Sequence, residues 1–413
     1  MLADRVAIGY PLSVSVNIPT AGCIAGRGPG EHERNFVTMP AEFGVVYSLW
    51  DFAADEGRLL EQTAGEVGIE HVTVPVVTGA QTHFRAVSAS ELPHFQTEGG
   101  WHYRTSTQAY SGIALSPYKA RWTSGADLLA QLRTQAAALG VRLMLRIDIR
   151  SVRPLVDQER HLCQRNAWGQ EVPSAGGCPC NPDLRELLRA TLADLSRYEP
   201  VGFELIDWAP DIASDRAAAR PLNWNREVRR LVDICFCASC RQIAARAGLD
   251  ADQVARTVRV TVHQLLTKPQ ETPAPEEEPL VAAYVAARAA DCAQWLQRLA
   301  ETDGERLQLL VHPVGEPALG HCPPWVRMTQ LLPGHARSTN SPAGTACLQT
   351  LTETPALALP VWRPTFADAA ELVRLVSEAA RAGVSLFDFE GLSEAAPEAV
   401  VWLKQAVRYA RRS

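Results

Sequence analysis

The sequence predicts an α/β fold, a (β/α)8 TIM barrel, and three observations predict it. Short apolar segments recur along the 413 residues, and most are separated by stretches with helical spacing. Those segments are apolar nearly throughout, as expected of parallel strands buried on both faces. The length and the total of eight such segments match one barrel. A doubly wound open sheet is the alternative arrangement of the same units.

The elements follow in order. GVVYSLW (44–50) reads as the first strand, and DEGRLLEQTAGEVG (55–68) as a helix ending at Gly68. IEHVTVPVVTG (69–79) is β-branched and reads as the second strand. SGADLLAQLRTQAAALG (124–140) begins on an N-cap serine and ends on glycine, as a helix does. VRLMLRIDI (141–149) is the third strand, NPDLRELLRATLADLSRY (181–198) a helix with proline in its first turn, and VGFELIDWA (201–209) the fourth strand. Segments 306–314, 325–332, 356–362 and 383–390 supply four more strands, and 366–382 and 395–411 two amphipathic helices. Residues 1–43, rich in Gly and Pro, are expected to form an N-terminal extension packed on a barrel of 44–413. Two long connections, 80–122 and 210–305, follow strand C-termini, the face of a barrel where ligands bind.

Composition narrows the function classes. Hydrophobic residues make 46% of the chain and charged residues 21%, which is ordinary for a globular protein. The net charge of −6 with no long basic run argues against nucleic acid and against an acidic membrane surface. Pro11, Asn17 and Pro19 interrupt the N-terminal apolar stretch, so no signal peptide is expected, and no run is long enough for a membrane span. A cytoplasmic location follows as an expectation, and self-association into a homo-oligomer is compatible with it. No GxSxG elbow, Walker loop or strand-linked GxGxxG is present, which removes support for a serine hydrolase or a nucleotide site.

CFCASC (235–240) concentrates Cys235, Cys237 and Cys240. Three thiols this close suit a redox centre, a disulfide or a metal site. A closed zinc site needs four ligands in a tetrahedron, so a fourth must come from elsewhere. GGCPCNPDLR (176–185) offers Cys178 and Cys180, and Cys163 lies nearby in sequence.

CPxxPxxR followed by a strand and then CxCxxC resembles the cysteine-cluster β-galactosidases, glycoside hydrolase family 42, and related bacterial barrels. QAYSG (108–112), 126–149 and 180–198 share that likeness, which runs from about residue 44 to the C-terminus. The resemblance implies a structural zinc on Cys178, Cys235, Cys237 and Cys240, carried by the insert after strand four. It also implies a glutamate acid/base ending strand four and a glutamate nucleophile ending strand seven. This sequence departs at both places. Strand four ends in Asp207 and Trp208, and strand seven in Trp362 and Arg363.

Other carboxylates stand where a barrel would use them. Asp388 and Glu390 end the eighth strand two residues apart and so share a face. Asp148 ends the third strand, and Asp51 after the first strand reads as a helix cap. Asp207 and Asp388 sit among apolar residues, where an unpaired carboxylate is costly, and are the expected catalytic pair, with Glu390 and Asp148 in reserve. Trp50, Trp101, Tyr103, Tyr110, Trp208 and Trp362 fall at or beyond strand ends and suit stacking on sugar rings. His102, Arg146, His312 and Arg363 suit hydrogen bonds to hydroxyls. The expected function is a carbohydrate-active enzyme, a glycoside hydrolase acting on a small carbohydrate. The alternatives are a saccharide-binding barrel without turnover and a sugar lyase or isomerase.

Overall fold

The computed structural model describes residues 41–412, apart from 85–93, 124, 207, 209–227, 229–230, 269–277, 303–307, 313–325, 332–355, 362–367, 382–383 and 396–397. Of the expected extension 1–43, residues 1–40 lie outside the described residues, and Glu42 and Phe43 belong to the first strand. Strands are β1 (Glu42–Val46), β2 (His71–Thr78), β3 (Gln81–Phe84), β4 (His94–Thr97), β5 (Gly100–Trp101), β6 (Arg142–Ile147), β7 (Gly202–Ile206), β8 (Gln308–His312), β9 (Val326–Leu331), β10 (Ala356–Pro360) and β11 (Leu386–Glu390).

The main sheet is parallel and curled. Pairing runs β1–β2–β6–β7–β8–β9–β10–β11, and β11 pairs in turn with β1. Two antiparallel additions arise from the connection after β2: the β3–β4 hairpin, and β5, which pairs with the end of β2. The ladder between β2 and β6 slips between Pro75 and Val77. Proline has no N–H to give the ladder, and the resulting bulge frees Val76 O to accept from His102 N at 2.8 Å.

Side chains alternate across this sheet. Phe43, Val45, Val72, Val74, Leu143, Leu145, Phe203, Leu205, Phe387 and Phe389 face the helices and form the main core with Leu129, Leu184, Leu188, Leu372 and Leu403. The intervening positions carry Gly44, His71, Thr73, Arg146, Glu204 and Asp388, while Met144 and Leu386 make a small separate cluster. β1, β2, β6, β7 and β11 are thus mostly buried on both faces, as the sequence predicts, but only one face is uniformly apolar.

Helix boundaries depart from the sequence expectation in places. The first strand stops at Val46, and Leu49–Asp55 is helical rather than extended. Ser48 caps that helix by accepting from Asp51 N at 3.1 Å, so Asp51 lies in the first turn instead of at the cap. The helix Leu128–Ala138 is capped by Asp127, whose side chain satisfies Ala130 N; the serine expected at that cap lies outside the described residues. Asn181 caps Pro182–Leu195 through Asp183 N and Leu184 N. The described part of the 210–305 insert holds helices Ala238–Arg246, Ala251–Thr267 and Pro279–Thr302. These build a second core around Cys178, Cys180, Val254, Val258 and Tyr284. Helices Ala369–Arg381 and Ala399–Ala410 follow β10 and β11. Among the described residues, no helix is long and apolar enough to cross a membrane.

Candidate functional site

A buried polar network occupies the inner face of the parallel sheet. Gly44 on β1 is in register with His71 of β2 on one side and with Asp388 of β11 on the other. A Cβ at position 44 would stand 2.1 Å from His71 Nε2, so glycine lets the imidazole lie over β1 and reach β11. His71 Nε2 is 2.9 Å from Asp388 Oδ1, and Thr73 Oγ1 donates to the same oxygen at 2.9 Å. Both the His71 and Asp388 side chains are 1% exposed.

Arg146 links three strands. Its Nε donates to Glu204 of β7 and its Nη1 to Glu390 of β11. Burial opposes the guanidinium charge, but Glu204 and Glu390 outweigh it and hold Arg146 above its ordinary value. One guanidinium thus faces the carboxylates of Glu204, Glu390 and, less directly, Asp388. Asp388 Oδ2, His71 Nδ1 and Arg146 Nη2 are buried with no hydrogen-bond partner among the described residues. Orphaned polar atoms of this kind are uncommon in a core and mark a place where a polar molecule would be stabilised.

Beyond the ends of β1 and β2 lies an aromatic group. Trp50 packs against His83, His102 and Trp122, with ring centroids 4.6, 5.4 and 6.2 Å apart. Trp122 Nε1 donates to His102 Nδ1 at 3.0 Å, which leaves Nε2 as the N–H facing Thr78 Oγ1 at 2.8 Å. The Thr78 hydroxyl donates in turn to Gly79 O at 2.9 Å. Burial, and then the neighbouring His83, lower His102 to about 4. His83 reaches Thr97 at 3.1 Å and Glu394 at 3.5 Å.

The thiols come together. The Sγ atoms of Cys178, Cys235, Cys237 and Cys240 all lie within 4.8 Å of one another and are buried. Cys178 and Cys240 are 3.5 Å apart, and Cys178 and Cys235 3.9 Å. Four thiolates about a zinc ion at ~2.3 Å would stand about 3.8 Å apart, so this donor set fits a tetrahedral metal. Cys237 caps the helix Ala238–Arg246, placing Cys240 in its first turn, and Cys237 N donates to Cys235 Sγ. Sulfur hydrogen bonds, chiefly from Cys178, hold Cys240 well below the ordinary thiol value, whereas the hydrogen bond to Cys180 pushes Cys178 up and burial pushes Cys235 up.

The other predicted residues divide clearly. Asp388, Glu390 and Arg146 share the inner network, and Trp50 and His102 share the aromatic group. Trp101 and Tyr110 instead bond to Thr191 on the helix Pro182–Leu195, and Tyr103 bonds to Tyr110 at 2.8 Å, so these three brace the core. Burial pushes Tyr110 up to about 12, so its hydroxyl stays protonated. Asp148 accepts from the Ser151 hydroxyl in the turn after β6, a local tie of the strand end. Trp208 is 1% exposed and packs at a tilt against Trp295, ring centroids 5.3 Å apart, with its indole N–H unpartnered among the described residues. His312 closes β8 in register with Ile206. Asp207, Trp362 and Arg363 lie outside the described residues.

His71, Thr73 and Glu204 are members of the network that sequence reading passed over. Their signal is a polar residue inside an otherwise apolar strand: HVTV in β2 and FELI in β7. An unpaired charge there is costly, so each implies a partner on a neighbouring strand.

No protein-family model and no curated protein matches the chain. Among solved structures it is similar to an α-L-fucosidase isoenzyme from Paenibacillus thiaminolyticus, with 11% identity and a TM-score of 0.45 over 90% of this chain. It is similar to a β-N-acetylhexosaminidase from Bacteroides fragilis, with 9% identity and a TM-score of 0.45 over 89% of this chain and 65% of that one. A sugar phosphate isomerase/epimerase from Parabacteroides distasonis gives 8% identity and a TM-score of 0.37 over 89% of this chain and 96% of that one. At these values the likenesses carry no argument about chemistry. The chain spans about half the length of the fucosidase, 49%.

Proposed function

We propose that this chain is a carbohydrate-active (β/α)8 barrel enzyme, a glycoside hydrolase working through carboxylates at the sheet's inner face. The return of the parallel ladder from β11 to β1 supports the barrel. The observation that carries the activity is Asp388. One of its oxygens is fixed by His71 and Thr73, and the other is buried with no partner among the described residues. An oriented carboxylate with one oxygen left over suits a base or nucleophile at a sugar carbon, with Asp207 after β7 as the acid that protonates the leaving oxygen. Glu390 and Arg146 flank Asp388 and suit hydrogen bonds to sugar hydroxyls, and Trp50 and Trp208 suit stacking.

In this reading zinc sits on Cys178, Cys235, Cys237 and Cys240 and braces the insert after β7. Held there it supplies cross-linking between the 178 loop and the 235–240 loop, and it takes no part in bond cleavage.

The test is turnover of a panel of aryl glycosides by the purified protein and by Asp388→Asn and Asp207→Asn. Each substitution is expected to lower turnover at least about 100-fold. Full turnover in both variants overturns the assignment.

A second reading is favoured by one observation: Arg146 engages Glu390, the other carboxylate of β11. With Glu390 held by Arg146, it does not replace Asp207 as the acid, and a barrel in which Asp207 does not act would bind a saccharide or move a proton without hydrolysis. Sugar binding without turnover, or product formed without incorporation of labelled water, would establish it.

A further inference from the structure

We infer that Cys180 and Cys292 form a reversible disulfide site, two thiols placed to be joined by a small hydroperoxide. The pair lies beside the four-thiol group and does not draw on it.

The two sulfurs are 3.6 Å apart, and the residues that carry them are 112 positions apart in sequence. Cys180 lies in the turn that enters the helix Pro182–Leu195, and Cys292 within the helix Pro279–Thr302. The two are 4% and 0% exposed. Neither belongs to the group of four mutually close sulfurs that Cys178, Cys235, Cys237 and Cys240 form. A metal on those four leaves Cys180 and Cys292 as a pair of free thiols. Closing the contact to a bond of about 2.05 Å takes a shift of about 1.5 Å, shared by two side chains.

Arg185 holds the pair together and prepares one member. Its Nε donates to Pro179 O at 2.7 Å, and its Nη2 donates to Asp291 Oδ2 at 2.8 Å and to Cys292 Sγ at 3.4 Å. One guanidinium thus ties the turn of Cys180 to the helix of Cys292. A guanidinium N–H on sulfur favours the thiolate, the form that attacks another sulfur. Cys180, the less deeply buried of the two, is the member that a small hydroperoxide meets first. With hydrogen peroxide, the Cys180 thiol takes one oxygen, giving a sulfenic acid and releasing water. The Cys292 thiolate then attacks the Cys180 sulfur and expels hydroxide, which takes up the proton lost from Cys292 and leaves as water. Two thiols and one peroxide give one disulfide and two waters; the sulfurs are oxidised and the peroxide oxygens reduced. The bond would fix the helix that carries Trp295, whose ring packs against Trp208 and lies under the Arg185 guanidinium at 5.4 Å.

The test exposes the full-length chain, reduced without a chelator, to hydrogen peroxide and follows intact mass, linked peptides and zinc content together. The chain is expected to lose two hydrogens, regained on treatment with dithiothreitol, with Cys180 and Cys292 in one linked peptide pair. Zinc bound beforehand should stay bound, because its four thiols are not consumed. Amide exchange in 279–302 should slow in the oxidised form and recover on reduction. Cys292→Ala and Cys180→Ala should each abolish the two-hydrogen loss. Both thiols still free after the exposure overturn the pairing. So does a linkage that draws on Cys178, Cys235, Cys237 or Cys240, or a loss of zinc in step with oxidation. Peptide mapping of the wild-type chain decides the matter without a variant that must fold. Absence of zinc from the reduced protein would bear on the metal reading alone, since the linkage is mapped without it.

Discussion

Asp388 and His71, 317 residues apart in sequence, meet at 2.9 Å across the backbone of Gly44. The contact exists because position 44 has no side chain. Gly44→Ala would drive a methyl group to 2.1 Å from His71 Nε2 and push the ring off Asp388. The expected cost is about 1–3 kcal/mol, read by denaturant unfolding. In a His71→Ala background the same substitution should cost much less, because the obstructing ring is gone. Equal costs in both backgrounds would show that the clash is not with the imidazole.

Arg146 holds two carboxylates at once. Glu204 is fully buried, so Arg146→Met takes its guanidinium partner away and should destabilise by about 3–5 kcal/mol. Arg146→Met with Glu204→Gln should recover part of that loss. Arg146→Lys is expected to behave as a damaging change, since an ammonium cannot fork between β7 and β11. Unfolding curves of the three variants check this ordering.

His102 makes acid stability measurable. Its folded value is about 4 against an ordinary 6.5, mainly because of burial. Between those values the unfolded chain binds a proton that the folded chain refuses, so stability is lost as pH falls from 6.5 towards about 4. Below that window both states are protonated and the loss levels off, at no more than about 3 kcal/mol. His102→Gln should be less stable at neutral pH but flatter across the same window, as followed by unfolding at several pH values.

Trp208 separates packing from recognition. Trp208→Phe keeps an aromatic ring against Trp295 and removes an indole N–H that has no partner among the described residues. Its stability should stay within about 1.5 kcal/mol of wild type, whereas Trp208→Ala should lose about 3–5 kcal/mol. Saccharide affinity should fall in both variants if the indole contacts the ligand, a point calorimetric titration decides.

Metal removal should loosen the insert rather than the sheet. The cysteines belong to the second core, formed with Val254, Val258 and Tyr284. Chelation, or Cys237→Ser, is expected to raise amide exchange in 235–302 before it does so in β1, β2 and β11. Uniform protection after complete zinc removal would show that the thiols need no ion.

Much of this was legible in the chain. The alternation of apolar strands and amphipathic helices announced a parallel α/β sheet, because burial on both faces leaves long apolar runs. CFCASC with the distant CPC announced a cluster, because thiols so close together need a common partner. The limits were local. Leu49–Asp55 is apolar enough to extend a strand, and only the Ser48 cap and the burial of Leu49 and Phe52 against the core make it a helix. Trp101, Tyr103 and Tyr110 looked like ligand-facing aromatics, but Thr191 gives two of them a partner inside the core.

By itself, the sequence determined which segments would be strands and helices and which thiols stood ready to cluster, since both follow from short-range spacing. Only the tertiary structure decided the inner network. A polar residue in a strand is a cost until a neighbouring strand brings its counterpart, and register alone sets that counterpart. The pairing of Gly44 with both His71 and Asp388, and of Arg146 with Glu204, turned isolated polar residues on separate strands into one buried network.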